Sequence, residues 1–287
     1  MNPDMQANII DGSQINKIIK TRDPFSHKGD YGHACIIAGS YGMVGAAVLS
    51  AKGCLRAGVG KLSCYIPKIG YDIMQTSVPE AMVQVGGKKY IKDVDELNNF
   101  DALGIGPGLG MYKSHSLLLQ KIFSTYKKPV VIDADALNVL SENKKLFQSI
   151  PPQSIITPHP KEFERLFGKT QTDNQRTSLA LQMSHQHKIY IILKEHHTLI
   201  AAPDGKAWFN STGNAGMATG GSGDVLTGIL TGLMAQGYSS LETCLLGVYL
   251  HGVAGDIAAK ALSQNALIAG DIINNLGNAF KKVIGGE

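Results

Sequence analysis

Charge is scarce in this chain. Asp, Glu, Lys and Arg make up 17% of 287 residues, the formal net charge is only +4, and no Lys/Arg cluster exceeds a pair. Nucleic-acid surfaces need a basic stripe, so that class is excluded, and the small positive balance is only weakly in favour of anionic small molecules. Cysteine is scarce as well. Cys35, Cys54, Cys64 and Cys244 stand at scattered, mostly apolar positions without a C-x-x-C pair, which signals neither a zinc site nor a disulfide framework and leaves reduced core thiols. Long apolar runs are missing. The uncharged stretch from Ala34 to Ala51 is broken by Gly39-Ser40-Tyr41-Gly42 and makes a poor membrane span, and the opening residues MNPDMQANIIDGSQ lack the basic and apolar regions of a signal peptide. A cytoplasmic protein with neither membrane nor nucleic acid as partner is expected.

Glycine is what the chain has in excess, at 33 residues. The densest concentration, NSTGNAGMATGGSGDVLTGILTGLMAQG from Asn210 to Gly237, organises the rest. From Val225 it reads as a helix, because Val225, Leu226, Ile229, Leu230, Leu233 and Met234 fall on one stripe and Gly237 sits where a C′ residue belongs. Gly220, Gly221 and Gly223 therefore precede a helix N-terminus, whose free N–H groups and positive dipole end favour an anion. Asp224 is the only ionisable side chain between Asn210 and Gly237. An isolated S-G-D would be read as a helix cap. The run of glycines before it, and Gly228 and Gly232 on the following turns where a neighbouring backbone must come close, favour a phosphate-binding loop with a catalytic carboxylate at its edge.

Elsewhere strands empty repeatedly into glycine, acid or histidine. His33 to Ala38 leads into the glycine turn Gly39 to Gly45 and a helix from Ala46 to Ala57; the acid that a dinucleotide fingerprint requires after the next strand, Lys61 to Ile66, is absent. Ala102 to Ile105 runs into Gly106-Pro107-Gly108-Leu109-Gly110. Pro129 to Ile132 delivers Asp133 and Asp135, each able either to hold Mg²⁺ through water or to cap the next helix. Ser154 to Thr157 delivers His159 between two prolines, a ligand contact in this reading. Ile189 to Leu193 ends in Lys194-Glu195-His196-His197-Thr198, and the two adjacent histidines lack a third ligand for a metal site. Leu199 to Ala202 and Lys206 to Phe209 flank Pro203-Asp204-Gly205 as a hairpin. Ser13 is expected to cap an N-terminal helix from Gln14 to Ile19, and Leu241 to Leu262 to form one helix or two. Strands alternating with helices along the whole length predict an α/β fold of three layers, a mostly parallel sheet with helices on both faces, in a single domain spanning 1–287 whose residues 1–27 pack on it as an extension. Acids and glycines after parallel strands gather at one sheet edge, where such folds bind ligands.

HKGDYGHACIIAGSYGMVGAAVLSAKGCLRAGVGK, GIGPGLG, VIDADALNVL, ITPHPKEFERL, the Lys194–Thr198 turn, NSTGNAGMATGGSGDVLTGILTGL and YLHGVAGD occur in one order from about Lys28 to the C-terminus. In these blocks the chain resembles the ADP/ATP-dependent NAD(P)H-hydrate dehydratases of the ribokinase-like superfamily. The resemblance implies a lyase of metabolite repair that uses ADP or ATP, with Mg²⁺, to phosphorylate the C6 hydroxyl of the S hydrate of NADH or NADPH (NADHX, NADPHX) and then eliminates phosphate. It implies that Ala46, Gly108 and His159 contact the hydrated dinucleotide, that Lys194, Glu195, His196, His197, Thr198 and Gly223 bind the nucleotide, and that Asp224 meets the hydroxyl to be phosphorylated. It also implies a homo-oligomer, a tetramer. Two departures stand out: Glu195 occupies a position that is commonly glycine in the family, and the kinase-like block begins too early to leave room for the epimerase domain that many relatives carry. A ribokinase-like kinase acting on a vitamin-precursor alcohol is the competing expectation, and a non-catalytic nucleotide sensor a more distant one.

Overall fold

The structure, a computed structural model, describes residues 7–285. Its elements follow the chain as β1 (Ala7–Ile9), α1 (Gly12–Ile18), β2 (His33–Ile37), α2 (Val44–Arg56), β3 (Lys61–Pro67), α3 (Tyr71–Ser77) and β4 (Met82–Gly87). Next come β5 (Ala102–Ile105), α4 (His115–Thr125), β6 (Val130–Ile132), α5 (Ala134–Glu142), β7 (Ile155–Ile156), α6 (Pro160–Phe167) and α7 (Asp173–His187). The last are β8 (Tyr190–Leu193), β9 (Thr198–Ala201), β10 (Ala207–Asn210), α8 (Ser222–Ala235), α9 (Ser240–Leu262) and α10 (Ala269–Gly285). All ten strands join one sheet in the order β1-β10-β9-β8-β7-β6-β5-β2-β3-β4. The strands from β2 to β8 pair in parallel, and only β9 runs against its neighbours, as the hairpin demands.

Successive strand residues point to opposite faces, so a strand buried on both sides must be apolar throughout. In β2, Ala34 and Ile36 join the core under α2, α8, α9 and α10, while Cys35 and Ile37 join the core under α4, α5 and α6. The result is the three-layer, mostly parallel arrangement expected. All four cysteines are free and buried, and burial pushes their thiols up. Among the described helices α9 alone has the length and apolarity to cross a membrane; it is instead a core helix packed on α8 and α10.

The central seam is α2 against α8. A Cβ at Gly228 would lie 2.0 Å from the Ser50 carbonyl oxygen, and one at Gly53 would lie 2.6 Å from that of Val225. The two backbones therefore touch, which is the close approach that glycines on this helix promised. Ser50 Oγ donates to the Asp224 carbonyl at 2.9 Å, so the same seam fixes the first turn of α8. On its other side Val225, Ile229 and Leu230 are fully buried, each contributing about 1.5–3 kcal/mol of apolar burial.

Two details depart from expectation, and one open alternative is resolved. The cap of α1 is Asp11, whose carboxylate accepts from Gln14 N at 2.8 Å and from Ser13 Oγ at 2.7 Å, so Ser13 supports the cap without being it. The extension also adds β1 to the sheet beside β10, and Asn16 Nδ2 reaches the Val283 carbonyl of α10 at 2.8 Å; residues 1–6 of that extension lie outside the described range. The helix after Leu241 is single, begun by Ser239 and Glu242 in a reciprocal capping box.

Candidate active site

A cleft of about 780 Å³ opens where β6, β7 and β8 end and α8 begins. Asp133 follows β6 and is 1% exposed. Although it stands at the N-cap position of α5, its carboxylate does not cap that helix. Its Oδ1 accepts from Lys194 Nζ at 2.8 Å and its Oδ2 from Thr227 Oγ1 at 2.7 Å. Asp135 does not cap either: its Oδ2 accepts from the backbone N–H of Gly110 at 2.8 Å and ties α5 to the glycine turn after β5. Between them Ala134 takes a positive φ of 51°, the kind of local strain that a site over-determines.

Asp224 is the third residue of α8, whose N-cap is Gly221, so the capping reading of this carboxylate is not what the helix uses. Burial, then the negative charges of Asp133 and Asp135, push its carboxyl up to about 6 against the opposing pull of Lys194. Lys194 itself is raised: burial alone would lower it, but the carboxylates of Asp133, Glu162 and Asp224 outweigh that. Gly221 carries the loop's positive φ of 92°, and a Cβ there would stand 2.4 Å from Leu49 Cδ1. Over Gly220 there is open space within 4 Å, and a Cβ on Gly223 would meet Lys194 Nζ at 3.2 Å. The first amides of α8, one lysine and a semi-buried carboxylate thus surround a space shaped for an anion beside a proton acceptor.

His159 begins α6 after β7. Its Nδ1 accepts from the backbone N–H groups of Lys161 at 3.1 Å and Glu162 at 3.3 Å, and Glu162 Oε2 accepts from His159 N at 2.8 Å. This capping box fixes the ring at the wall of the cleft, with Nε2 3.5 Å from Glu162 Oε1. In the turn after β8, Lys194, Glu195, His196 and Thr198 line the cleft. His197 is exposed and packs edge-to-face on His196 with centroids 4.4 Å apart. Glu195 does not confront the cleft as a bare charge, since Arg176 of α7 forms an ion pair with it.

Ala46 and Gly108 lie together but apart from that cleft's wall. A Cβ on Gly108, at φ 59°, would stand 3.0 Å from Ala46 Cβ and 2.6 Å from the Met43 carbonyl. Gly39 N donates to the Pro107 carbonyl at 2.9 Å and Ser40 Oγ to the Gly108 carbonyl at 2.9 Å, so the turns after β2 and β5 form one shelf.

Several cleft residues carried no sequence signal strong enough to single them out. His251 on α9 donates through Nε2 to the Ser222 carbonyl at 3.0 Å, and burial pushes it down to about 4, so it is a neutral brace for the anion loop at physiological pH. Asp256, one turn on, accepts from Gly213 N and Asn214 Nδ2, both at 2.9 Å, and pins the loop that roofs the cleft. Both belong to the YLHGVAGD block, whose glycines were legible and whose braces were not. Thr227 is hidden within the apolar stripe of α8. Among the described residues no group of three His, Cys, Asp or Glu side chains is arranged to hold a metal, and both oxygens of Asp133 are already engaged, so the donor set does not fit a cage in which protein alone holds Mg²⁺.

A family model described as NAD(P)H-hydrate dehydratase matches residues 34–276. The ADP-dependent (S)-NAD(P)H-hydrate dehydratase of Bacillus subtilis is 33% identical over 270 residues, covering 93% of this chain and 96% of that protein. A bifunctional NAD(P)H-hydrate repair enzyme of Moorella thermoacetica is 37% identical over 266 residues, covering 89% of this chain; the chain spans about half the length of such bifunctional relatives, 50% in this case. The crystal structure of the B. subtilis ADP/ATP-dependent NAD(P)H-hydrate dehydratase, co-crystallised with ATP/Mg²⁺, superposes with TM-score 0.85 at 30% identity over 96% of this chain and 98% of that one. A ribokinase-like superfamily protein from Enterococcus faecalis superposes with TM-score 0.84 at 27% identity, covering 96% of each chain. With matches spanning nearly the whole sheet and every glycine turn described above, the chain belongs to the NAD(P)H-hydrate dehydratase family.

Proposed function

We propose that the chain dehydrates the S form of NADHX or NADPHX at the expense of ADP or ATP, by phosphorylating the C6 hydroxyl and eliminating phosphate. The observation that carries this reading is Asp224: a carboxylate pushed up to about 6, placed beside the amides that begin α8 and beside Lys194. A general base works best with a pKa near the operating pH, and this one is ionised and still basic at neutrality. Asp224 takes the proton of the incoming hydroxyl while the N–H groups around Gly223 and the Lys194 ammonium receive the phosphoryl oxygens. Charge is neutralised where it develops, and the donors are already in place, so little reorganisation opposes transfer. Lys194 to Thr198 and Gly223 take the nucleotide. Ala46, Gly108 and His159 take the hydrated dinucleotide, whose hydroxyl then lies between the two halves.

Mg²⁺ enters as counter-ion of the nucleotide's phosphates, which is how this small, tightly hydrated ion is usually held. The protein's own work is to bind, orient and take the hydroxyl proton; in the elimination the C6–O bond breaks as the neighbouring carbon C5 gives up a proton, the C5–C6 double bond forms, and that proton leaves with the phosphate. The test is incubation of the purified protein with hydrated NADH, Mg²⁺ and either ADP or ATP. Return of dihydronicotinamide absorbance with release of free phosphate supports the reading; a stable phosphate ester would mark a kinase instead. Full activity in excess chelator would remove the metal from the scheme.

A further inference from the structure

The shelf formed by Ala46 and Gly108 continues into a feature that the reaction centre does not use. After β4 the chain turns through Gly86-Gly87-Lys88-Lys89-Tyr90-Ile91-Lys92 and folds back over the carboxyl ends of the strands. Tyr41 N donates to the Lys89 carbonyl at 2.7 Å, and Ile69 N to the Lys88 carbonyl at 3.2 Å. Tyr90 stacks on Tyr112 with centroids 3.8 Å apart and planes 9° from parallel. Tyr112 in turn closes under the Gly108–Gly110 turn, where a Cβ on Gly110 would stand 2.6 Å from its ring. The lysine turn is therefore fixed to both glycine turns of the shelf.

Its chemistry is distinctive for so lightly charged a chain. Lys88, Lys89 and Lys92 are exposed, and among the described residues none of them is in an ion pair. The neighbouring acid Asp93 is already engaged by Lys121 at 2.6 Å. Lys89 Nζ lies 5.6 Å from the centre of the Tyr41 ring, and Lys92 Nζ lies 5.5 Å from that of Tyr90. Tyr41 is 67% exposed. Uncompensated ammonium groups beside the open face of Tyr41 are what a phosphorylated, base-bearing ligand needs: point charges for phosphate and a flat surface for a heterocycle.

Position decides which part of the ligand arrives here. Tyr41 follows β2, two strands along the sheet from β6 and Asp133, an offset of about 10 Å between those strands. A nicotinamide ring whose hydroxyl meets Asp224 does not span that offset, whereas the lysine turn is tied directly to the Ala46 and Gly108 shelf assigned above to the dinucleotide. We propose that Lys88, Lys89 and Lys92, with Tyr41, form a subsite for the adenosine half of the hydrated dinucleotide and recognise the 2′-phosphate that distinguishes NADPHX from NADHX. The proposal rests on the substrate reading given above and deepens it into a preference for the phosphorylated cofactor.

The test is steady-state kinetics on both hydrates, with donor saturating, for the wild type and for the triple variant Lys88→Ala, Lys89→Ala, Lys92→Ala. The KM for NADPHX should rise by about tenfold or more while kcat holds, and the KM for NADHX should move by less than about twofold. Raising the ionic strength should erode the wild-type preference for NADPHX, because exposed charges are screened. Tyr41→Ala should raise both KM values alike. Equal changes for the two hydrates in the triple variant, or none, would overturn the subsite. If the triple variant does not fold, Lys89→Gln alone reads the same ratio. Loss of the substrate reading itself has a separate signature, namely a wild-type protein that turns over neither hydrate.

Discussion

The two halves of the carboxyl edge are built from different material. Around α8 the work is assigned to side chains: Asp133 holds Lys194 at 2.8 Å and Thr227 at 2.7 Å, and Asp224 sits within their field. Around Ala46 and Gly108 it is assigned to backbone, with turns held by main-chain hydrogen bonds and by a glycine at φ 59° whose Cβ position is occupied by a carbonyl. The first half concentrates charge in a poorly solvated space and is suited to chemistry. The second offers shape and is suited to holding a long substrate. Substitutions should separate accordingly, the first moving kcat and pH dependence, the second moving KM.

The largest effect belongs to Asp224→Asn. Asparagine keeps the shape but takes no proton, so turnover should fall by roughly two to four orders of magnitude while both ligands still bind, as single-turnover and titration measurements would show. Stability should change in the opposite sense. The folded carboxyl titrates near 6 against 3.8 for the free group, so the folded state holds this proton more tightly than the unfolded chain. Its contribution is present below about pH 4 and is lost as pH rises through 6. The variant should therefore be more stable than wild type at pH 8, by about 1–2 kcal/mol once partial exposure is allowed for, and no more stable at pH 4. Wild-type turnover at pH 8 in a folded variant would end the distinction between the halves.

Next in size is Lys194→Met. It removes the phosphate's cation and leaves Asp133 buried with one donor, so donor affinity should drop by about ten- to a hundredfold. Lys194 is also the group pulling the Asp224 carboxyl down. Without it the acid limb of the pH–rate profile should lie at higher pH than in the wild type. An unmoved limb would show that Lys194 does not face Asp224 in the working enzyme. Gly108→Val on the shelf should instead raise KM for the hydrated dinucleotide by about tenfold with kcat retained, since its side chain would meet the Met43 carbonyl. A kcat collapse from this substitution would erase the contrast.

The contrast also explains what could be read in advance. Glycines and acids clustered after parallel strands are local patterns, so the cleft, the role of Gly228 against a neighbour and the three layers were all legible. The partners of those residues were not, because they come from distant chain positions: Thr227 meets Asp133 across 94 residues and Asp256 meets Gly213 across 43. A histidine buried on an apolar helix, such as His251, looks like any satisfied core residue until its partner is known. β1, an edge strand of three residues, is too short for periodicity to register, whereas β7, only two residues long, was still marked within Ser154 to Thr157 by the apolar pair before Pro158. Asp11 took the cap from Ser13 because both are good capping types, and only the backbone geometry, extended at Asp11 and already helical at Ser13, chooses between them.

The smallest predicted effect concerns Glu195, in the turn after β8. Glu195 and Arg176 are each about four-fifths buried, at 24% and 18% side-chain exposure, and form an ion pair beside the turn after β8. The pair is charge-balanced, so the cation that the turn presents at the cleft is Lys194, itself held by Asp133 at 2.8 Å. Glu195→Gln keeps the side-chain volume and frees the Arg176 guanidinium, which also contacts Asp173 at 3.2 Å and so remains partly satisfied. One additional positive charge near the phosphates should lower the donor KM by about two- to fivefold, more for ATP than for ADP because ATP carries the extra phosphate, and less at high salt. Breaking a semi-buried pair has a stability cost of about 1–3 kcal/mol, which a melting curve would register separately. Arg176→Gln is the converse: it leaves Glu195 bare, so the donor KM should rise, again more for ATP. Opposite signs from the two substitutions would show that the pair tunes donor choice by charge alone; a rise in KM from both would show that it serves only to hold the turn against α7.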